Sequence, residues 1–169
     1  MFRTKDLTII AVFSAILFVQ ELALSFIPNV QLTVFLLVLY SKVFGLKKTC
    51  IIILIHTILD NFVMGSLNLI YFPFMLIGWL IIPIVTTTIL KKTNNNIVLA
   101  LAGIMFSLIY CWIFIIPNVI VYEINILTYL SADIIFEIVL AISSFLTILW
   151  LYYPCSKLIR KFINKIIVN

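Results

Sequence analysis

Apolar residues in this chain do not alternate with polar ones but run on in long blocks. The blocks fall at about 7–27, 32–44, 49–65, 69–90, 97–115 and 131–153, each dominated by Leu, Ile, Val and Phe. A continuous run of about 20 residues is what a helix needs to cross the ~30 Å hydrocarbon core of a bilayer. The same continuity excludes a transmembrane β-barrel, whose strands alternate apolar and polar positions. The breaks carry helix-ending residues: Pro28-Asn29, Gly45, Gly65-Ser66 and the polar KKTNNN at 91–96. Pro83 is expected to bend the fourth run. Residues 116–130 stay open between helix and loop, because Pro117, Asn118, Glu123 and Asn125 interrupt them. Beyond Pro154 a basic tail with apolar spacing is expected to lie along the membrane surface.

Composition agrees with this pattern. Of 169 residues, 65% are apolar and 10% charged, whereas a soluble domain is nearer half apolar and a quarter charged. The expected fold is an all-α integral membrane protein, with one six-helix domain over residues 1–169. The first run lacks a small-residue cleavage site and is expected to be a retained span. No GxxxxGK[ST] occurs and six spans leave little spare chain, so any ATP hydrolysis is expected on another chain.

The net charge of +5 changes the picture only through its placement. All 11 basic residues sit in four clusters: Arg3/Lys5, Lys42/Lys47/Lys48, Lys91/Lys92 and Lys157/Arg160/Lys161/Lys165. The connections after the first, third and fifth runs contain no Lys or Arg. Because basic residues beside spans mark the cytoplasmic face, six helices with both termini in the cytoplasm satisfy every cluster. The charge therefore points to topology in a multi-pass cell-membrane protein, with some attraction to anionic lipid, and not to nucleic acid.

The acids show the opposite asymmetry. Asp6 is cytoplasmic on this topology, but Glu21, Asp60, Glu123, Asp133 and Glu137 all fall in the outer half of the membrane or beyond it. Asp60 interrupts TCIIILIHTILDNFVMGSLN (49–68) twelve residues after Lys48, about 18 Å up from the cytoplasmic edge. An ionisable group in hydrocarbon costs about 2.5–3.5 kcal/mol even on insertion scales, so Asp60 must face a partner, a cavity or a ligand. Asn29, Gln31, Asn61, Asn68, Tyr71, Asn118 and Asn125 lie on the same side. The pattern predicts a polar, outward-opening pocket above an apolar floor, with His56 one turn below Asp60. The competing explanation for such residues is hydrogen bonding between helices, which would not require confinement to one leaflet.

Other chemistry is thin. Cys50, Cys111 and Cys155 are far apart, without CxxC or Cys/His metal spacing, and fit small apolar packing positions. With one histidine, no HExxH and no GxSxG, no catalytic residue, metal or cofactor is expected. Ala11 and Ala15 make a smooth patch where a helix can approach closely, and Gly103 with Ser107 makes a second.

Taken with the wording IPNVQLTVFLLVLYSKVFG, LIHTILDNFVMG and ADIIFEIVLAISSFLTILWLYYP, this arrangement resembles the substrate-binding S components of energy-coupling-factor (ECF) transporters. The resemblance implies capture of a vitamin or related micronutrient from outside, with partners in a transmembrane coupling subunit and two cytoplasmic ATPases. It implies that Ala11 and Ala15 contact the coupling subunit. The substrate would be held by Asn29, Gln31, Asp60, Asn61, Asn68, Tyr71, Asn118, Glu123, Asp133 and Glu137. Because the outer region has carboxylates and no basic residue, a purely anionic substrate is disfavoured. A self-sufficient proton-coupled carrier using His56, Asp60 and the Asp133/Glu137 pair is the alternative.

Overall fold

The computed structural model describes residues 3–65 and 68–168. Among them every regular element is helical: α1 Thr4–Leu24, α2 Thr33–Phe44, α3 Leu46–Val63, α4 Tyr71–Thr87, α5 Asn96–Ile113, α6 Ile115–Ile120 and α7 Ile126–Val168. Three helical stretches, Thr4–Leu24, Asn96–Ile120 and Ile126–Lys165, are long and apolar enough to span a bilayer. Their outward faces are as apolar as their buried ones. Leu7, Val12, Ile16 and Val19 of α1, Leu101 and Met105 of α5, and Ile135 and Ile142 of α7 are all exposed. A surface of this kind needs lipid around it, and the chain is a helical membrane protein.

Helix α2 is the axis of the bundle. Every residue from Thr33 to Ser41 is buried, as expected of a helix apolar on all sides. It packs against α1, α3, α4, α5 and α7. At 12 residues it is only about 18 Å long, so its N-terminus lies where backbone groups cannot rely on water. Gln20 of α1 fills that need. Its Oε1 accepts from the Leu32 N–H (2.9 Å) and its Nε2 donates to Thr33 Oγ1 (2.9 Å). Ser143 of α7 fixes the preceding turn by donating to the Gln31 carbonyl (3.1 Å). At the other end Gly45, with φ 78°, turns α2 directly into α3, a conformation open to glycine at little steric cost.

Helices α5 and α7 meet through small residues. A side-chain carbon at Gly103 would lie 2.5 Å from Ile148 Cδ1, and Ser107 Oγ lies 2.8 Å from Ser144 Oγ. The patch read from Gly103 and Ser107 is thus an internal helix–helix seam. Ala11 and Ala15 differ: both are exposed, and no helix of this chain covers them.

All four basic regions come together at one end of the bundle. Lys48 pairs with Asp6, the Lys42 ammonium donates to the carbonyls of Leu90, Lys91 and Thr93, and Arg160 donates to the Lys42 carbonyl (3.2 Å).

Helix boundaries depart from the hydropathy blocks at α3, which begins at Leu46 rather than 49, at α4, which covers Tyr71–Thr87 rather than 69–90, and more tellingly elsewhere. Helix α1 ends at Leu24 rather than 27, as Ser25 begins a turn. Residues 116–130 divide into α6, a bend at 121–125 and the start of α7. Helix α7 does not stop before Pro154 but continues through it to Val168. Tyr152 is buried, Cys155 and Ile159 pack on the core, and Arg160 reaches the end of α2. These tertiary contacts hold the tail as helix, overriding the proline's missing N–H.

Candidate functional site

At the end opposite the basic clusters a cavity of about 560 Å³ opens among α3, α4, α5, α6 and α7. That is within the size range of small-molecule sites. Helix α3 contributes Asp60 and Asn61 to it from its last turn. Asn68 then lines the connection to α4 and accepts from the Ile70 and Tyr71 N–H groups (3.0 and 3.3 Å). This satisfies donors at the start of α4 and places Tyr71 in the wall. The Tyr71 hydroxyl donates to Asn118 Oδ1 of α6 (2.9 Å). In turn Asn118 Nδ2 donates to the Phe114 carbonyl one turn earlier (2.7 Å). Pro117 and Asn118, which made this segment ambiguous, form the short helix α6 that carries an amide to the cavity.

The rest of the wall is aromatic. Tyr110 and Phe114 of α5 and Tyr129 of α7 line the cavity together with Met75. Trp79 stacks on Tyr110 with ring centres 3.7 Å apart, Tyr110 meets Phe114 edge-on at 5.2 Å, and Phe114 meets Tyr71 at 5.8 Å. Tyr71 stacks on Tyr122 at 5.6 Å. Five rings thus form a ladder from the core, where Trp79 is 1% exposed, to the exposed Tyr122. Gly78 makes its foot possible, because a side-chain carbon there would lie 2.8 Å from Tyr110 Cδ2. Tyr110, Phe114 and Met75 carry no signal in the hydropathy pattern, where aromatic and sulphur side chains count as ordinary apolar filling. The nearest clue was Gly78 beside Trp79.

Electrostatically the cavity is one-sided: Asp60 is its ionisable carboxylate, and no Lys or Arg lines it. One turn deeper, His56 is 1% exposed and faces α1, its Nε2 3.0 Å from Glu21 Oε2. The two stand in close contact without hydrogen-bond alignment. Glu21 Oε2 and His56 Nδ1 have no hydrogen-bond partner among the described residues.

The ten residues expected at the site do not stay together. Asp60, Asn61, Asn68, Tyr71 and Asn118 line the 560 Å³ cavity. Asn29 and Gln31 line a second cavity of about 160 Å³ with Glu21 and Met64, and the Gln31 side chain accepts from Thr33 Oγ1 (2.9 Å). Glu123 is exposed in the bend before α7 with φ 55°, outside both linings. So are Asp133 and Glu137. Asp133 stands one turn after Tyr129 on α7. Glu137 is buried and accepts from Trp112 Nε1 of α5 (3.2 Å), with its Oε1 unpartnered among the described residues. His56, Asp60 and Met64, spaced four residues apart, also go different ways: His56 faces α1, Asp60 the large cavity and Met64 the small one. No group of three or more metal-ligating side chains occurs among the described residues.

No protein-family model matches the chain, and no curated protein or solved structure does either.

Proposed function

We propose that this protein is the substrate-capture subunit of an ATP-driven importer of the energy-coupling-factor type. On this reading it is a six-span protein of the cell membrane with both termini in the cytoplasm. The observation that carries the proposal is the 560 Å³ cavity, lined by one carboxylate, three asparagines and a ring ladder, at the end away from every basic cluster. The positive-inside rule turns that end outward. A vitamin-sized micronutrient enters there, and the 3–4 and 5–6 connections that carry Asn68 and Asn118 close over it. The exposed Ala11 and Ala15 support a docking face for a transmembrane coupling subunit, since small residues let a second helix come close. Energy comes from ATP bound to two cytoplasmic partner subunits, and the chain carries out no reaction itself.

The test is uptake by proteoliposomes with and without the coupling and ATPase subunits, using a substrate identified by mass spectrometry of the purified protein. Binding by the isolated chain with uptake only in the full assembly is the expected result. Concentrative uptake by the chain alone overturns it.

One observation favours a second reading. The buried His56–Glu21 contact lies one turn from Asp60, an arrangement a proton-coupled carrier would use. Uptake by the isolated chain under an imposed pH gradient, lost in Asp60→Asn, would support that carrier.

A further inference from the structure

The hydrogen-bond inventory of the large cavity defines the chemistry of what it binds. Each of its amide groups already donates within the protein, and Asn61 uses both of its N–H groups. Asn61 Nδ2 donates to the Thr57 carbonyl (2.9 Å) and contacts Met75 Sδ (3.4 Å). Asn118 Nδ2 donates to Phe114, and Asn68 Nδ2 to the Tyr122 hydroxyl (3.4 Å). The orientation of Asn61 is forced, because the reversed amide would set its oxygen against the Thr57 carbonyl. Among the hydroxyls, that of Tyr71 donates to Asn118, leaving those of Tyr110 and Tyr129.

Besides these hydroxyls and one N–H each on Asn68 and Asn118, what remains open is acceptor capacity. Asn61 is 5% exposed and lines the cavity, yet its Oδ1 accepts no hydrogen bond among the described residues. The Asp60 carboxylate beside it accepts none there either. Both therefore stand available to donors on a ligand in the cavity. Opposite them stand Tyr71, Tyr110 and Phe114, whose ring faces carry negative potential that favours cations and aromatic edges. Trp79 covers one face of Tyr110, so the cavity meets its other face and edge.

We infer that the large cavity binds a planar aromatic ring bearing a cationic N–H group of the amidine or protonated ring-amine type. Its N–H groups address Asp60 and Asn61 Oδ1, and its ring lies against the Tyr71–Tyr110–Phe114 wall. This deepens the capture-subunit reading and rests on it for the role of the site, but the binding chemistry is tested without transport.

The probes are 2-naphthamidine, 2-naphthamide and 2-naphthoate, which share a shape and differ in charge. Cyclohexanecarboxamidine serves as the non-aromatic cation. Binding to the full chain in nanodiscs is measured by ligand-observed NMR and by quenching of tryptophan fluorescence. The amidinium is expected to bind about tenfold tighter than the amide, since charge-assisted hydrogen bonds are about twice as strong as neutral ones. The carboxylate is expected not to bind, and the cyclohexane analogue to bind more weakly. In Asp60→Asn, with thermal melting checked for folding, the amidinium advantage disappears; Asp60→Glu retains part of it. Equal binding of amide and amidinium, or preference for the carboxylate, overturns the inference. If a co-purified substrate lacks such a cation but is imported with partner subunits, the inference fails while the importer reading stands. Selective amidinium binding without partner-dependent uptake of any aromatic cation leaves the inference standing and removes the importer.

Discussion

The two ends of this bundle hold their charges in opposite ways. At the basic end, Lys48 has Asp6, Lys42 sits among three backbone carbonyls, and Arg160 closes onto α2. Those cations serve the fold, because each satisfies carbonyls or an acid that helix ends leave open. At the acidic end, the Asp60 carboxylate lines the cavity and accepts no hydrogen bond among the described residues, while Glu21 and Glu137, in contact with His56 and Trp112, each keep one buried oxygen without a hydrogen bond. A fold selected only for stability would pair these groups or replace them with apolar residues. The difference separates an end built for stability from an end held open for recognition.

That comparison can be broken from its middle outward. The largest effect should come from Gly103→Leu, which drives a side chain into Ile148 and Ser144 at the α5–α7 seam. The expected loss is about 3 kcal/mol, read as a fall in the melting temperature of detergent-solubilised protein, with ligand binding lost at the same time. Lys42→Ala acts on the basic end alone. Three carbonyls lose their cationic donor, stability drops by about 1–2 kcal/mol, and the affinity of the folded protein for ligand stays unchanged in titrations. A matching loss of affinity would show that the ends are coupled.

Asp60→Asn is the converse. Melting should hold or rise slightly, since an unpartnered carboxylate becomes a neutral amide, while affinity for a cationic aromatic falls about tenfold. A drop in stability comparable to that of Lys42→Ala would assign Asp60 to the fold. The smallest effect belongs to Glu123→Gly. Residue 123 has φ 55°, and relieving a non-glycine side chain there should stabilise the bend by up to about 1 kcal/mol, with no change in binding if Glu123 lies outside the site.

The polar residues show how far the site was legible beforehand. Asp60, Asn61, Asn68, Tyr71 and Asn118 could be assigned to one cavity because a polar group in an apolar helix stands out and the basic clusters orient each run. Asn29 and Gln31 share that side of the membrane but line a different cavity, since depth says nothing about which neighbour a helix face meets. Gln20, near the same end, holds the N-terminus of α2. Asp133 and Glu137, one turn apart, were expected among the substrate-holding residues; both lie outside the cavity lining, and Glu137 accepts from Trp112.

By itself, the amino-acid sequence determined what depends on one residue and its near neighbours. Helical membrane character follows from the length of the apolar runs, and Gly45 ends α2 because it tolerates a positive φ. The gathering of basic and acidic residues at opposite ends follows from helices reversing at each break. Tertiary structure alone decided which faces meet. It placed α2 at the centre, carried α7 through Pro154 by packing its far half on the core and α2, and stacked Trp79 on Tyr110 over Gly78. It also left Asp60 and the Asn61 oxygen without donors. The reason is physical: hydropathy sets whether a helix enters the membrane, but its rotation about its own axis is set by van der Waals fit and hydrogen bonds to neighbours distant in sequence.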